Sequence, residues 1–217
     1  FAYYDAWVDD ARLVVLTLSS ARAHGATVLA RTRCTGAKRE GDTWRVALRD
    51  QATGTESEVR ARILVNAAGP WVKSLLEREL DIESTGQVRL VKGSHIVVPR
   101  IHDKRHAYIL QNPDRRVVFM IPYEREFTLI GTTDVHVTQN ELPPAISDDE
   151  RAYLCAAASR YSAREITADQ VVWSYSGVRP LYDDGKEDPS AITRDYVLQL
   201  DEQGPPLLSV FGGKITT

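Results

Sequence analysis

The spacing of apolar and polar positions changes several times along the chain, and each change marks an element. Leu13, Leu16 and Ser20 recur at helical spacing after Asp9 and Asp10, either of which can cap a helix, and Gly25 closes it. Three strand-like runs follow. The first covers 27–38 and turns at Gly41-Asp42; the second alternates Trp44, Val46 and Leu48 against Arg45 and Arg49. The third, after Gly54, alternates Val59, Ala61 and Ile63 against Arg60 and Arg62, then turns wholly apolar through Ile63-Leu64-Val65. A strand that starts half-exposed and ends apolar on both faces is expected to leave a small antiparallel layer and enter a covered, parallel sheet. The loop 66–70 and a short helix over 71–80 come next. Small residues between a buried strand and a helix are where α/β folds place nucleotide ligands, and a plain strand-to-helix turn is the competing reading.

Beyond Gly86 the texture becomes strand-rich. The pattern predicts strands over 88–98, 107–111, 117–122, 127–132, 171–176, 192–200 and 207–210. One helix interrupts them, opened by a capping box of Ser147 and Glu150 and carrying Leu154, Ala157, Ala158 and Tyr161 at helical spacing. Polar turns fall at 185–189 and 203–206. The fold class expected is mixed α+β and α/β. An antiparallel sheet domain over 84–205 is inserted into a nucleotide-binding domain represented by 1–83 (helix, three-stranded meander, return strand) and 206–217.

Composition narrows this picture by exclusion. Apolar residues make up 43% of the 217 and charged residues 26%, ordinary for a globular chain able to bury a core. A net charge of −3 argues against a dedicated nucleic-acid binder. No run of about 18 apolar residues is present to span a membrane. The start, Phe1-Ala2-Tyr3-Tyr4-Asp5, carries neither an initiator Met nor a signal-peptide pattern, so the expectation is a chain that begins inside a longer protein. Cys34 and Cys155 form no Cys-x-x-Cys, and two free thiols are expected. His102 and His106 lie four apart, but Pro99 and Asp103-Lys104-Arg105 read as a solvated loop, so no metal site is expected.

Four segments set polar groups in apolar surroundings. In Lys92-Gly93-Ser94-His95, the histidine opens an apolar run. Burial would lower its pKa and leave a neutral imidazole able to accept a proton, while a purely structural histidine is the alternative. Arg179, locked by Pro180 at a strand end, is suited to hold an oxyanion with its planar fork. Arg194 is a second strand arginine, or a surface partner for Asp195. In Phe211-Gly212-Gly213-Lys214-Ile215-Thr216-Thr217, the glycines permit close backbone approach, Lys214 adds charge, and a helix starting at Ile215 would aim N–H groups at an electron-rich ligand. No phosphate-binding P-loop is present. No Gly-x-Gly-x-x-Gly occurs either, since no two of the 13 glycines are separated by a single residue. Chemistry alone therefore leaves a two-domain protein with an anion pocket and an open function.

Seven segments in order resemble the aerobic FAD-dependent glycerol-3-phosphate dehydrogenases of the D-amino-acid-oxidase-like flavoprotein group. They are Trp7-Val8-Asp9-Asp10-Ala11-Arg12-Leu13, the run 64–73 around Asn66-Ala67-Ala68-Gly69-Pro70-Trp71, Lys92-Gly93-Ser94-His95, Ile130-Gly131-Thr132-Thr133-Asp134, Tyr175-Ser176-Gly177-Val178-Arg179-Pro180-Leu181, Ala191-Ile192-Thr193-Arg194-Asp195-Tyr196, and 208–217. Ala68 departs from the Thr common in that group. The resemblance implies a substrate-binding antiparallel sheet inserted into an FAD-binding Rossmann-like domain, and oxidation of sn-glycerol 3-phosphate at C2.

On that resemblance, His95 is the base or hydrogen-bond partner of the C2 hydroxyl. Arg179 stabilises the developing alkoxide, Arg194 binds the phosphate, and Lys214 sits between substrate and flavin. Arg33, Cys34, Ala68, Gly69, Gly212, Gly213, Lys214, Ile215 and Thr216 contact FAD. It further implies electron transfer to quinone and peripheral attachment at the cytoplasmic face of the inner membrane; a homodimer is a separate expectation that the resemblance does not carry. Without the glycine loop, this chain alone is expected to retain no FAD and no turnover. Two other readings stand beside it: a non-catalytic binding or structural fragment, and a related flavoenzyme oxidising another small hydroxy or amino acid.

Overall fold

A computed structural model describes residues 1–84, 86–183 and 195–213. Helix α1 (Asp10–Ala23) is capped by the Asp9 carboxylate, which accepts the Arg12 amide, and Gly25 follows at φ 95°. Its apolar side is left open: Val14, Val15, Leu16 and Leu18 are exposed and no residue of the helix is buried.

Strands β1 (Thr32–Glu40), β2 (Thr43–Asp50) and β3 (Glu56–Ala61) form an antiparallel meander. The first strand starts later than the pattern predicts because Arg31 takes a left-handed backbone, φ 55°, which an extended strand excludes. Trp44, Val46 and Ala37 face inward, while Arg45 and Arg60 pair with Glu40 and Glu58 on the other side.

The next run divides where its pattern changes. Strand β4 (Leu64–Asn66) leaves the meander and pairs in parallel with β12 (Leu207–Gly212), as the shift from alternating to continuous apolar residues anticipates. Its expected cover is only half there. Leu64 and Asn66 turn inward, whereas Val59, Ile63 and Val65 stay exposed with Tyr196, Leu198 and Leu200 of β11 (Tyr196–Asp201). Strand β11 falls within 84–205 by sequence but pairs with β12, not with the larger sheet. The helix α2 that follows β4 is irregular, passing through a 3-10 turn (Gly69–Trp71), an α turn (Val72–Ser74) and a π turn (Leu75–Glu79). It still buries Val72, Leu76 and Leu80 against Trp44, Leu207 and Phe211.

The larger sheet holds β5 (Val88–Pro99), β6 (Tyr108–Gln111), β7 (Val117–Tyr123), β8 (Phe127–Gly131), β9 (Val135–Val137) and β10 (Trp173–Tyr182). Its order is β10-β5-β8-β7-β6, with β9 also on β5. Long β5 is the axis: β10 runs antiparallel to it from Val88 to Val97, while β8 and β9 share its other edge. Between them, residues 132–134 cross opposite Gly93 and Ser94. Helix α3 (Asp148–Ser159), opened by the predicted Ser147–Glu150 box, packs Leu154, Cys155, Ala157 and Ala158 on Ile96, Val98, Val118, Met120 and Ile130. It ends before Tyr161, which lies exposed with its hydroxyl donated to the Gln111 carbonyl. Cys34 and Cys155 are free thiols, as expected.

Candidate active site

Side chains of a strand alternate between faces, so the face of the large sheet away from α3 carries His95, Gly93 and Val91 of β5 with Tyr175, Gly177 and Arg179 of β10. Gly131 of β8 joins them across from His95. His95 thus lies between two registered neighbours. On one side its ring stacks on Tyr175, centroids 4.8 Å apart and nearly parallel; on the other it lies over Gly131. A Cβ at Gly131 would stand 2.0 Å from the imidazole, so only glycine leaves the ring this place. Trp173 continues the aromatic row, 5.3 Å from Tyr175.

The imidazole is largely desolvated and its Nδ1 is buried without a hydrogen-bond partner. Desolvation, then the positive charge of Arg179, push its pKa down to about 4, with the Asp10 carboxylate at the start of α1 opposing them. His95 is therefore neutral at pH 7. Burial, with Asp10 and Tyr123, drives the Tyr175 phenol up to about 12, so it too carries no charge.

Arg179 reaches over Gly93, where an added Cβ would sit 3.0 Å from its Nη2. That nitrogen donates to the Thr133 carbonyl at 3.4 Å and to Asp134 Oδ1 at 2.5 Å. The fork is thus aimed by the 132–134 loop. Gly93 and Gly177 pair across the strands, and nothing lies within 4 Å of where a Gly177 Cβ would be. The register sets Arg179 four residues along from the His95–Tyr175 pair, and its side chain reaches back over Gly93, two residues from His95 on the same sheet face.

Beneath this face, toward α3, lies a polar cluster that the sequence reading treated only as a helix cap. Glu150 is 5% exposed. Its Oε1 accepts Ser94 Oγ at 2.8 Å and Thr133 Oγ1 at 2.7 Å, and its Oε2 accepts the Ser147 amide and Lys92 Nζ, each at 2.8 Å. Burial alone would raise its pKa; these donors outweigh it and hold the carboxyl at about 2. Ser94 Oγ also meets Ser176 Oγ at 2.8 Å. Asp134, Tyr175 and Glu150 are not among the site residues expected from the sequence, because no local pattern says that strand pairing will bring them to His95 and Arg179.

The residues expected at FAD fall into two groups. Ala68 and Gly69 follow β4, and Gly212 and Gly213 end β12; parallel pairing carries both to one edge, at the carboxyl ends of the strands. Gly69, Gly212 and Gly213 have φ of 56°, 73° and 83°, and a Cβ at Gly212 would meet the Asp195 carbonyl at 2.9 Å. The space at Gly69 is open, so this edge can admit a ligand against backbone. The Ala68 amide is already taken by Asn66 Oδ1. Tyr182, at the end of β10, packs on Phe211, which joins this edge to the strand bearing Arg179. Arg33 and Cys34 lie apart on β1. Arg33 pairs with Glu79 at 2.8 Å and, with Thr35 and Arg49, lines an open cavity of about 220 Å³. The Cys34 thiol contacts the Gly36 carbonyl. Arg194, Lys214, Ile215 and Thr216 lie outside the described residues. Another cavity, of about 360 Å³, sits between α2 and the start of β5 by Lys73 and Arg89, both already paired with Glu77 and Asp183.

A covered sheet face, a second face bearing a desolvated imidazole and a guanidinium, and a glycine-lined parallel edge beside it make up a mixed α/β architecture with antiparallel sheets. The chain belongs to the FAD dependent oxidoreductase family (DAO), which matches residues 1–217. A glycerol-3-phosphate dehydrogenase of Pseudomonas aeruginosa is 50% identical over 219 residues, covering 100% of this chain and 43% of that protein. A D-erythritol 1-phosphate dehydrogenase of Brucella abortus is 50% identical over 218 residues, covering 100% of this chain and 43% of that protein. Among solved structures, the glycerol-3-phosphate dehydrogenase from Bacillus halodurans complexed with FAD matches with a TM-score of 0.80 at 32% identity, over 96% of this chain and 40% of that one. The chain spans less than half the length of the curated relatives it matches.

Proposed function

We propose that the protein containing this chain oxidises the C2 alcohol of sn-glycerol 3-phosphate to dihydroxyacetone phosphate. FAD, held at the Gly69 and Gly212–Gly213 edge, supplies the hydride acceptor when bound. The observation that carries this reading is the neutral, unpartnered imidazole of His95 beside Arg179 on one open face. His95 takes the hydroxyl proton as the C2–H bond breaks, and Arg179 stabilises the charge that develops on the oxygen. An anionic substrate against Arg179 offsets the charge that depresses His95, which strengthens the base at the moment it is needed. The phosphate-binding role of Arg194 and the bridging role of Lys214 rest on the family resemblance.

The test uses the full-length flavoprotein. His95→Ala and Arg179→Ala are expected to lower kcat, and Arg194→Ala to raise mainly KM for glycerol 3-phosphate. Unchanged kinetics in all three variants would remove the site. The relative named for D-erythritol 1-phosphate supports a second reading with the same chemistry on a longer phosphorylated polyol. Comparing kcat/KM for the two substrates decides between them. The same proposal has electrons leaving to quinone and the protein, as a homodimer, bound peripherally to the cytoplasmic face of the inner membrane; among the described residues no helix is long and apolar enough to cross one. Quinone reduction and membrane flotation assays test that part.

A further inference from the structure

The 132–134 loop holds both partners of Arg179, the Thr133 carbonyl and the Asp134 carboxylate, yet it belongs to no strand. What fixes it comes from the opposite side of the sheet. The Thr133 hydroxyl donates to Glu150 Oε1 and accepts the Ser94 amide at 2.9 Å, and the Thr133 amide points back to the Ser94 carbonyl at 3.4 Å. Glu150 also takes the Ser94 hydroxyl, and Ser94 is the residue that precedes His95. We infer that Glu150 is a positioning residue for charge stabilisation by Arg179: through Thr133 it sets that guanidinium, although it touches neither substrate nor cofactor. One carboxylate thus ties α3, β5 and the 132–134 loop into a single block. Lys92, 12% exposed at its side chain, balances the charge, so the block is neutral beneath a face that must bind an anion. Changing Glu150 to the isosteric amide replaces one acceptor by a donor, and the five donors on the carboxylate (Ser94, Thr133 and Ser147 hydroxyls, the Ser147 amide and Lys92) can no longer all be satisfied.

This inference rests on the proposed substrate, and its test separates the two. In full-length holoenzyme with its flavin spectrum intact, Glu150→Gln and Thr133→Val are expected to lower kcat for glycerol 3-phosphate about fivefold or more, with KM changing less. Thr133→Ser, which keeps the hydroxyl, restores kcat. In an Arg179→Lys background, Glu150→Gln adds less than about twofold, because the group it acts through is gone. Lowered melting temperature with kcat unchanged, or full additivity with Arg179→Lys, overturns the positioning role and leaves a fold anchor. Wild-type protein that does not oxidise glycerol 3-phosphate overturns the substrate instead. Crystals of wild type and Thr133→Val then still read the positioning directly, by whether the Arg179 guanidinium leaves the Thr133 carbonyl.

Discussion

Neighbouring residues of the large sheet meet opposite environments. Ile96, Ile130 and Val118 are fully buried under α3, while His95, Gly131 and Phe119, each one residue away, face the other side. On the covered face the side chains are aliphatic and interlocked, and the hydroxyls of Ser94 and Thr133 there are bonded to Glu150. On the open face glycine recurs, aromatic rings stand in a row, and Phe119 and Trp173 are left exposed. The period of two lets one strand build a rigid floor and a reactive surface at once. Rigidity below is what allows the space above to be kept for a ligand.

Changes that cross this division test it most strongly. Gly131→Ala puts a methyl where the His95 ring lies, and kcat/KM is expected to fall by about 100-fold or more in the full-length enzyme with flavin still bound. Activity near wild type would show that the ring has another place to go. Ile130→Ala, one residue earlier but on the covered face, is expected to cost about 3–4 kcal/mol of stability by denaturant titration while leaving KM within about twofold. A KM that moves as much as the stability would mean that the floor and the surface are not separable.

Acid reads the open face by itself. The folded-state pKa of His95 lies near 4, below its ordinary 6.5, so the unfolded chain binds the extra proton between these values. The stabilisation is whole above pH 6.5 and lost as pH falls toward 4, amounting to roughly 3 kcal/mol. Replacing His95 by Phe, which keeps a flat ring on Tyr175, should flatten the stability-versus-pH curve in that window; an unchanged slope assigns the proton elsewhere. The smallest effect is expected from Asp134→Asn. The pair with Arg179 is about half-exposed, and such pairs contribute about 1 kcal/mol or less, so kcat should shift less than about fivefold with melting temperature unmoved.

Much of the element order was readable from local signals. The Asp9 cap, the Ser147–Glu150 box, the turn at Gly41 and the change of pattern at Ile63 all mark real boundaries, because capping, left-handed turns and burial of one strand face act within a few residues. Pairing was less readable. Strand β11 joins β12 and β4, and nothing within 196–201 specifies that partner. Of the proposed catalytic residues in described positions, His95 and Arg179 do share a face, but their companions Tyr175, Gly131 and Asp134 become meaningful only once β10, β5 and β8 are in register. Glu150 shows the limit most sharply: its helix-capping role is local and visible, and its grip on the far strand is neither.

The sequence by itself determined the type and order of most helices and strands, that His95 sits in an apolar run with Arg179 before a proline, and, through seven ordered segments, which family the chain resembles. These follow from chemistry that spans a turn of helix or a stretch of strand. Only the tertiary structure decided that the imidazole is desolvated, that a glycine across the sheet makes room for it, and that a carboxylate under the sheet holds the loop that aims the guanidinium. Those depend on strand register and on which face α3 covers, and such choices are made between segments tens of residues apart, where no local pattern records them.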